Sequence, residues 1–250
     1  MSRAGATSPS ELQIWLADLE ALASALEAAE ARHGLLALSE RDWLAQSPPQ
    51  SRRWRRLARI GLRIALARAG AADARAGEFQ ADANGKPTLP GTALAFNASH
   101  AGGVALFVIS AHGPVGIDLE SERTVALGER RRAMIEIAAS ALLRGRHPTA
   151  FLQAWTCLEA FAKARGTGIG ALLTELGITA AGTKQMTDPD VSARAVAVAA
   201  GSPLQVEPLG VPATFYACVA APRPIPRAGL IVHTLAASDF DLAAAGFSAV

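Results

Sequence analysis

Two acidic residues close an otherwise apolar segment of the chain. Asp118 and Glu120 alternate with apolar residues in the run Gly116-Ile117-Asp118-Leu119-Glu120. Residues two apart on a β-strand point to the same face, so the two carboxylates are expected side by side. Neighbouring carboxylates repel each other unless a cation or a proton lies between them. Paired hard oxygen ligands suit Mg²⁺, while the alternative is a strand end that runs out into solvent.

A second group of polar residues has helical spacing. Trp155, Glu159 and Lys163 are four residues apart and therefore share one face of a helix. Glutamate four residues before lysine is the favoured orientation of a surface ion pair, which is one interpretation. The other is a functional lysine, because the chain has only three lysines against twenty-one arginines. Lysine is a compact point charge that can donate a proton in ways that arginine cannot.

A third group, Phe96-Asn97-Ala98-Ser99-His100, precedes an apolar run. A hydroxyl and an imidazole at this place are able to bind phosphate, and they are equally compatible with a polar strand cap. Adjacent side chains on an extended segment point apart, which argues against direct activation of Ser99 by His100.

Segment 52–68 contains seven arginines and no acidic residue. Leu57, Ile60 and Ile64 form an apolar stripe at helical spacing. A second stripe consists of Arg52, Arg56, Arg59 and Arg63. It is either a solvated charged face or an anion site, since guanidinium groups match phosphate oxygens bidentately.

The elements that must position these groups follow from periodicity and from turn residues. We predict strands at 12–16, 104–109 and 115–120, and weaker strands at 195–199, 204–208 and 214–220. Helices are predicted at 20–32, 52–68, 127–143 and 150–164, the last ending in a turn with Gly166, Gly168 and Gly170. Ser39 is the predicted N-cap of a further helix, which the prolines of 47–51 break. The best boundary gives two halves, 1–121 and 122–250.

Composition excludes several classes of protein. Hydrophobic residues make up 50% of the chain and charged residues 18%, which excludes wholesale disorder. Two cysteines, Cys157 and Cys218, are too few for a disulfide scaffold or a Cys-rich zinc module, and we expect buried free thiols in a reducing cytoplasm.

No segment has the pattern of a signal peptide. The uncharged run 87–117 is long enough to span a bilayer, but its prolines and polar residues favour a buried strand between loops.

In their order along the chain, these motifs resemble the 4′-phosphopantetheinyl transferases, specifically the larger Sfp type. The series is Asn84-Gly85-Lys86-Pro87, Phe96-Asn97-Ala98-Ser99-His100, Gly116-Ile117-Asp118-Leu119-Glu120 and Trp155-x-x-x-Glu159-Ala160-x-x-Lys163 with Gly166-x-Gly168. Upstream, Ala58-Arg59-x-x-Leu62-Arg63 is similar to the N-terminal helix of that family, and Trp15 and Ser39-Glu40-Arg41 match more loosely. The resemblance covers residues 12–220.

The resemblance implies an α+β fold of two similar α/β halves related by a pseudo-twofold axis, with coenzyme A in the cleft between them. It assigns the binding of Mg²⁺ to Asp118, Glu120 and Glu159. Coenzyme A is expected to contact Arg41, Arg59, Lys86, Ser99, His100 and Lys163. Of these, Arg41 and Arg59 are the candidates for its 3′-phosphate.

Members of the family transfer the phosphopantetheine arm of coenzyme A to a serine of an acyl or peptidyl carrier protein and release 3′,5′-ADP. Glu159 is then expected to take the serine proton and Lys163 to stabilise or protonate the leaving group. The carrier proteins of fatty-acid, polyketide and nonribosomal peptide synthesis are all candidate partners. The chain is further expected to be cytoplasmic and monomeric, with no membrane contact.

One departure from the family pattern is Leu158, where lysine usually precedes the glutamate. Loss of a cation beside a pyrophosphate could cost about 1–3 kcal/mol of transition-state stabilisation. A catalytically weakened relative that binds coenzyme A or a carrier protein without transfer is therefore the alternative function. Nucleic-acid binding through segment 52–68 is disfavoured by the net charge of only +2.

Overall fold

The computed structural model describes residues 12–71, 74–82, 85–178, 188–225 and 230–241. Its helices are α1 (Ala23–His33), α2 (Leu38–Gln46), α3 (Pro49–Arg68), α4 (Glu129–Leu142), α5 (Phe151–Arg165), α6 (Gly168–Glu175) and α7 (Asp188–Gly201). Its strands are β1 (Gln13–Asp18), β2 (Gln80–Ala81), β3 (Pro87–Thr88), β4 (Ala95–Ala101), β5 (Val104–Ser110), β6 (Gly116–Ser121), β7 (Leu204–Pro208), β8 (Phe215–Pro222) and β9 (Val232–Thr234). A short 3-10 helix spans Ala237–Phe240. The predicted α+β class is confirmed.

The first of two main sheets has the strand order β4-β5-β1-β9. Strands β4 and β1 both pair antiparallel with β5, and β9 joins β1 in parallel. Phe96, Phe107 and Ile109 on one face share a core with Ile60 and Ile64 of α3. The apolar stripe of α3 thus packs on the first sheet, as its spacing predicts.

The second sheet has the order β6-β8-β7 and is antiparallel throughout. Its outer face packs on α4 and α5, where Cys218, Ala220 and Val206 join the core of those helices. A third apolar cluster joins the two sheets, with Ile14 and Val108 from the first and other residues from the second. The layers therefore run α3, first sheet, second sheet, α5.

Strand β6 uses its two faces for different purposes. Ile117 and Leu119 face the first sheet within the shared apolar cluster. Because side chains alternate, Asp118 and Glu120 face the opposite side, toward α5. The predicted common face of the two carboxylates is confirmed.

Several local predictions need correction. Residues 195–199 belong to α7 rather than to a strand, and Gly168 and Gly170 lie inside α6. Helix α2 begins at Leu38, and the side chain of Glu40, not Ser39, accepts the hydrogen bond from the backbone N–H of Ala37 at 2.9 Å. The pseudo-twofold axis and the division at residue 121 stay predictions.

The two cysteines are buried as predicted, but they are not free thiols. Cys157 on α5 and Cys218 on β8 form a disulfide, with their Cα atoms 5.1 Å apart. The packing of α5 on the second sheet brings them together across 61 residues of sequence. The cysteines therefore give no support to the predicted cytoplasmic location.

Among the described residues, no helix is both long and apolar enough to cross a membrane.

Candidate functional site

Helix α5 approaches β6 so closely that only glycine fits at position 116. A Cβ atom there would lie 2.1 Å from the Ala160 carbonyl oxygen and 2.4 Å from the Ala164 nitrogen. Contacts below 3.0 Å are essentially never seen for real Cβ atoms. The close approach brings Glu159 and Lys163 of α5 over the polar face of β6.

Asp118 lies at the centre of this contact and is buried. Its Oδ1 accepts hydrogen bonds from Lys163 Nζ at 2.7 Å and from Ser99 Oγ at 3.0 Å. Its Oδ2 is also buried but has no hydrogen-bond partner among the described residues. A buried carboxylate oxygen without a partner is costly unless a cation or a donor joins it.

Glu159 and Glu120 share the electrostatic environment of Asp118. Burial raises the pKa of Glu159, and the negative charges of Asp118 and Glu120 raise it further, against the opposing effect of Lys163. Glu120 is less buried and forms an ion pair with Arg123 at 3.1 Å. Three carboxylates therefore face one region with a single lysine among them.

The donor set of this region fits a hard divalent cation. Carboxylate oxygens are the ligands that Mg²⁺ prefers, and the Oδ2 of Asp118 is a buried oxygen that such an ion would satisfy. Within the described ranges, no group of three or more His, Cys, Asp or Glu side chains is already arranged to hold a metal ion. The ammonium of Lys163 instead compensates Asp118 directly.

The segment with Asn97 and Ser99 supports Asp118 from the other side. The Oδ1 of Asn97 accepts the backbone N–H of Ile117 at 3.0 Å, which fixes β4 beside β6. Ser99 donates to Asp118, as described above. Both side chains are thus tied to the acidic strand, and no hydrogen bond joins Ser99 to His100 in the described structure.

His100 stands among cations. His100 is an exposed residue of β4. Partial desolvation by its neighbours lowers the pKa of its imidazole from the ordinary value of 6.5, and the positive charges of Arg55, Lys163 and Arg59 lower it further. A group of positive charges of this kind is suited to a multiply charged anion, although Lys163 and Arg59 each also contact a carboxylate. The carboxylates and this cationic group share Lys163.

Two predicted ligands of coenzyme A lie in other surroundings. Lys86 donates from Nζ to the Val115 carbonyl oxygen at 2.6 Å, and burial lowers its pKa. Arg41 forms an ion pair with the buried Glu30 at 2.7 Å. Asn84, which belongs to the same motif as Lys86, lies outside the described residues. The assignments of Lys86 and Arg41 to coenzyme A stay predictions.

The arginine stripe of α3 is neither fully solvated nor free of acids. Glu27 of α1 pairs with Arg56 at 2.9 Å, and Glu40 of α2 pairs with both Arg59 and Arg63. Arg63 is completely buried. The acids that the segment lacks in sequence come from neighbouring helices, which sequence spacing alone does not reveal.

Sequence reasoning missed Arg55 as a neighbour of His100 and gave Glu40 no role beyond a loose match. It also placed Leu158 near the pyrophosphate on the strength of the family pattern. Leu158 is 0% exposed and belongs to the core between α5 and the second sheet. A cation at position 158 would therefore lie in that core.

Comparison with known proteins gives one relevant similarity. No protein-family model matches the chain. A "Putative 4′-phosphopantetheinyl transferase" of Synechocystis sp. is 33% identical over 126 residues, which cover 47% of this chain and 51% of the relative. The chain thus spans about half the length of the curated relative it matches. This similarity confirms the predicted resemblance to the phosphopantetheinyl transferase family, without distinguishing the Sfp type within it.

Proposed function

We propose that the protein transfers the 4′-phosphopantetheine arm of coenzyme A to a serine of an acyl or peptidyl carrier protein and releases 3′,5′-ADP. The observation that carries the proposal is the buried Asp118. One of its oxygens is held by Lys163 and Ser99, and the other has no hydrogen-bond partner in the described part of the chain. A buried carboxylate with an open oxygen, between a lysine and a second acid, is suited to phosphoryl-group chemistry rather than to structure alone.

The side chains supply the parts that transfer of a phosphoryl-linked group requires. Glu159 is the general base, because burial and the neighbouring acids raise its pKa toward the range in which it can take the serine proton. Lys163, whose side chain is 26% exposed, can shift its ammonium from Asp118 toward the leaving phosphate and stabilise the charge developing there.

Asp118, Glu120 and Glu159 would hold Mg²⁺. When bound, the ion neutralises charge on the pyrophosphate oxygens. The ion would also give the buried Oδ2 of Asp118 a partner, which is the physical reason to expect it here.

The cationic side of the site would hold the phosphates of coenzyme A. The positive charges of Arg59 and Lys163 act on His100, and Ser99 directly precedes His100 in the sequence. Of the predicted ligands, Lys86 and Arg41 would have to exchange their present partners, Val115 and Glu30, for the ligand. Under this proposal we also expect the protein to bind a carrier protein, to be cytoplasmic and to be a monomer.

Intact-protein mass spectrometry of apo carrier proteins tests the proposal. Each carrier is incubated with the protein, coenzyme A and Mg²⁺, and the expected result is a gain of one phosphopantetheine group that requires the metal. The variant Glu159→Gln should abolish the gain. Glu20→Gln is the control, because Glu20 is an exposed carboxylate that pairs with the exposed Arg53 of α3.

Binding of coenzyme A without transfer to any carrier would favour the non-catalytic alternative. That alternative rested on the missing lysine at position 158. Since Leu158 is part of the core, its identity does not remove a charge from the site, and this reason for expecting lost activity is weakened.

A further inference from the structure

A buried ion pair lies beneath the cationic group, between α2 and α3. Arg63 is completely buried, and its Nε donates to Glu40 Oε2 at 3.1 Å. Its Nη1 donates to the Ala74 carbonyl oxygen at 3.0 Å, and its guanidinium stacks on Phe79 at 3.8 Å from the ring centroid. Arg63 is therefore satisfied within the protein and is not available to a ligand.

The two oxygens of Glu40 have different partners. Oε2 accepts from Arg63 and from the backbone N–H of Ala37, at 2.9 Å for the latter. Oε1 is buried and has no hydrogen bond from any residue that the structure describes, but it lies 3.3 Å from the Nε of Arg59. The carboxylate is thus fixed through one oxygen and directs the other at Arg59.

Arg59 is confined by two aromatic rings as well. Its guanidinium lies 5.4 Å from the ring of Trp43 and 5.2 Å from that of Phe79. Arg55 lies over the same Trp43 ring, also at 5.4 Å. An open cavity is lined by Trp43, Arg59 and Phe79 together with Gly85 and Pro87 of the predicted coenzyme A motif.

The charge balance explains why two arginines share one carboxylate. A lone Glu40 would neutralise Arg59 and reduce its attraction for an anion. Because Arg63 already compensates the same carboxylate, the three groups together keep one net positive charge. Arg59 is therefore held in place without losing its electrostatic effect on a ligand.

We propose that Glu40, fixed by Arg63, is a positioning residue that holds the Arg59 guanidinium for the 3′-phosphate of coenzyme A. The inference rests on the proposed function, because it names the group that the cationic side receives. Glu40 is only 5% exposed where it borders the cavity, and in this proposal it acts through Arg59.

Titration calorimetry with coenzyme A and with 3′-dephospho-coenzyme A separates positioning from general stability. Glu40→Gln keeps the shape of the side chain but removes its charge. We expect it to weaken coenzyme A binding about tenfold, the lower end of what one hydrogen bond to a charged group contributes. Binding of the dephospho compound should stay within about twofold of wild type, because it lacks the group that Arg59 holds.

Three further single variants and one double variant sharpen the result. Glu40→Asp keeps the charge that Arg63 needs but draws the carboxylate back from Arg59, so it should fold and show the same selective loss. Arg59→Gln should reproduce the loss, and adding Glu40→Gln to it should cause no further loss. Glu207→Gln is the matched control. Glu207 lies on β7, is as buried as Glu40, and is likewise paired with an arginine, Arg146.

The possible outcomes are distinguishable. Wild-type protein that binds no coenzyme A would overturn the proposed function and this inference with it. Wild-type binding with an unchanged ratio between the two ligands in Glu40→Gln, or equal weakening of both, would overturn the inference alone. If Glu40→Gln does not fold, Glu40→Asp decides by the same ratio.

Discussion

Gly116→Ala is the substitution that most directly tests how the site is assembled. The added methyl would lie 2.1 Å from the Ala160 carbonyl oxygen and 2.4 Å from the Ala164 nitrogen. Both are backbone atoms of α5, so no flexible side chain can move aside. The helix has to retreat from β6 by about 1 Å to restore an ordinary contact.

That displacement has two measurable consequences. Overpacking of this kind destabilises a protein by about 1–3 kcal/mol. It also moves Lys163 away from Asp118, which its Nζ now contacts at 2.7 Å, and moves Glu159 with it. Misplacement of catalytic groups by about 1 Å can lower a rate by about 100-fold, so we expect a transfer rate reduced by about that factor in protein that is still folded.

The assay pairs thermal unfolding with the rate of phosphopantetheine transfer measured by mass spectrometry. Gly170→Ala is the control, because Gly170 lies in α6 and a Cβ there meets nothing within 4 Å. Alanine in a helix should stabilise the control by about 0.5–1 kcal/mol and leave its rate unchanged. A Gly116→Ala protein with wild-type stability and rate would refute the proposed close packing of α5 on β6.

Three other predictions concern single side chains. Leu158→Lys restores the usual family residue but should lower the free energy of unfolding by about 4 kcal/mol, because a fully buried lysine has to be deprotonated at neutral pH. It should not raise the transfer rate. Ser99→Ala removes a hydrogen bond to a carboxylate and should destabilise the protein by about 1.5–3 kcal/mol in denaturant unfolding, with a lower rate; unchanged stability would contradict the Asp118 contact. Partial desolvation and nearby cations lower the pKa of His100, so below 6.5 the unfolded chain binds more protons there and stability rises with pH through that window. A bound phosphate raises this pKa, so calorimetry at about pH 6 in two buffers should detect proton uptake with coenzyme A that His100→Gln abolishes.

The acidic strand could be predicted because its information is local. Alternation of Ile117 and Leu119 with Asp118 and Glu120 fixes which residues face the core, whatever the partner of each face is. The requirement for Gly116 is different in kind. It arises from the close approach of α5, which lies some forty residues later in the chain. The residues around Gly116 contain no signal of how close that helix comes.

A local pattern gives a wrong prediction where the same sequence spacing fits both a strand and a helix. Residues 195–199 alternate alanine and valine as a strand does. The structure uses a helical repeat instead, since Val191 and Ala195, four residues apart, are the ones buried. Similarly, the arginines of α3 lack acids within their own segment, but Glu27 and Glu40 reach them from other helices.

The division of charge across the site is consistent with a substrate that has anionic groups at two places. Carboxylates from β6 and α5 lie on one side, where a cation and a nucleophile's proton would be needed. Arg55, Arg59 and His100 lie on the other, where they attract phosphate. Lys163 interacts with both sides. It donates a hydrogen bond to Asp118, and its positive charge lowers the pKa of His100. A binding protein would need only the cationic side, so the buried, incompletely satisfied Asp118 is the feature that favours catalysis.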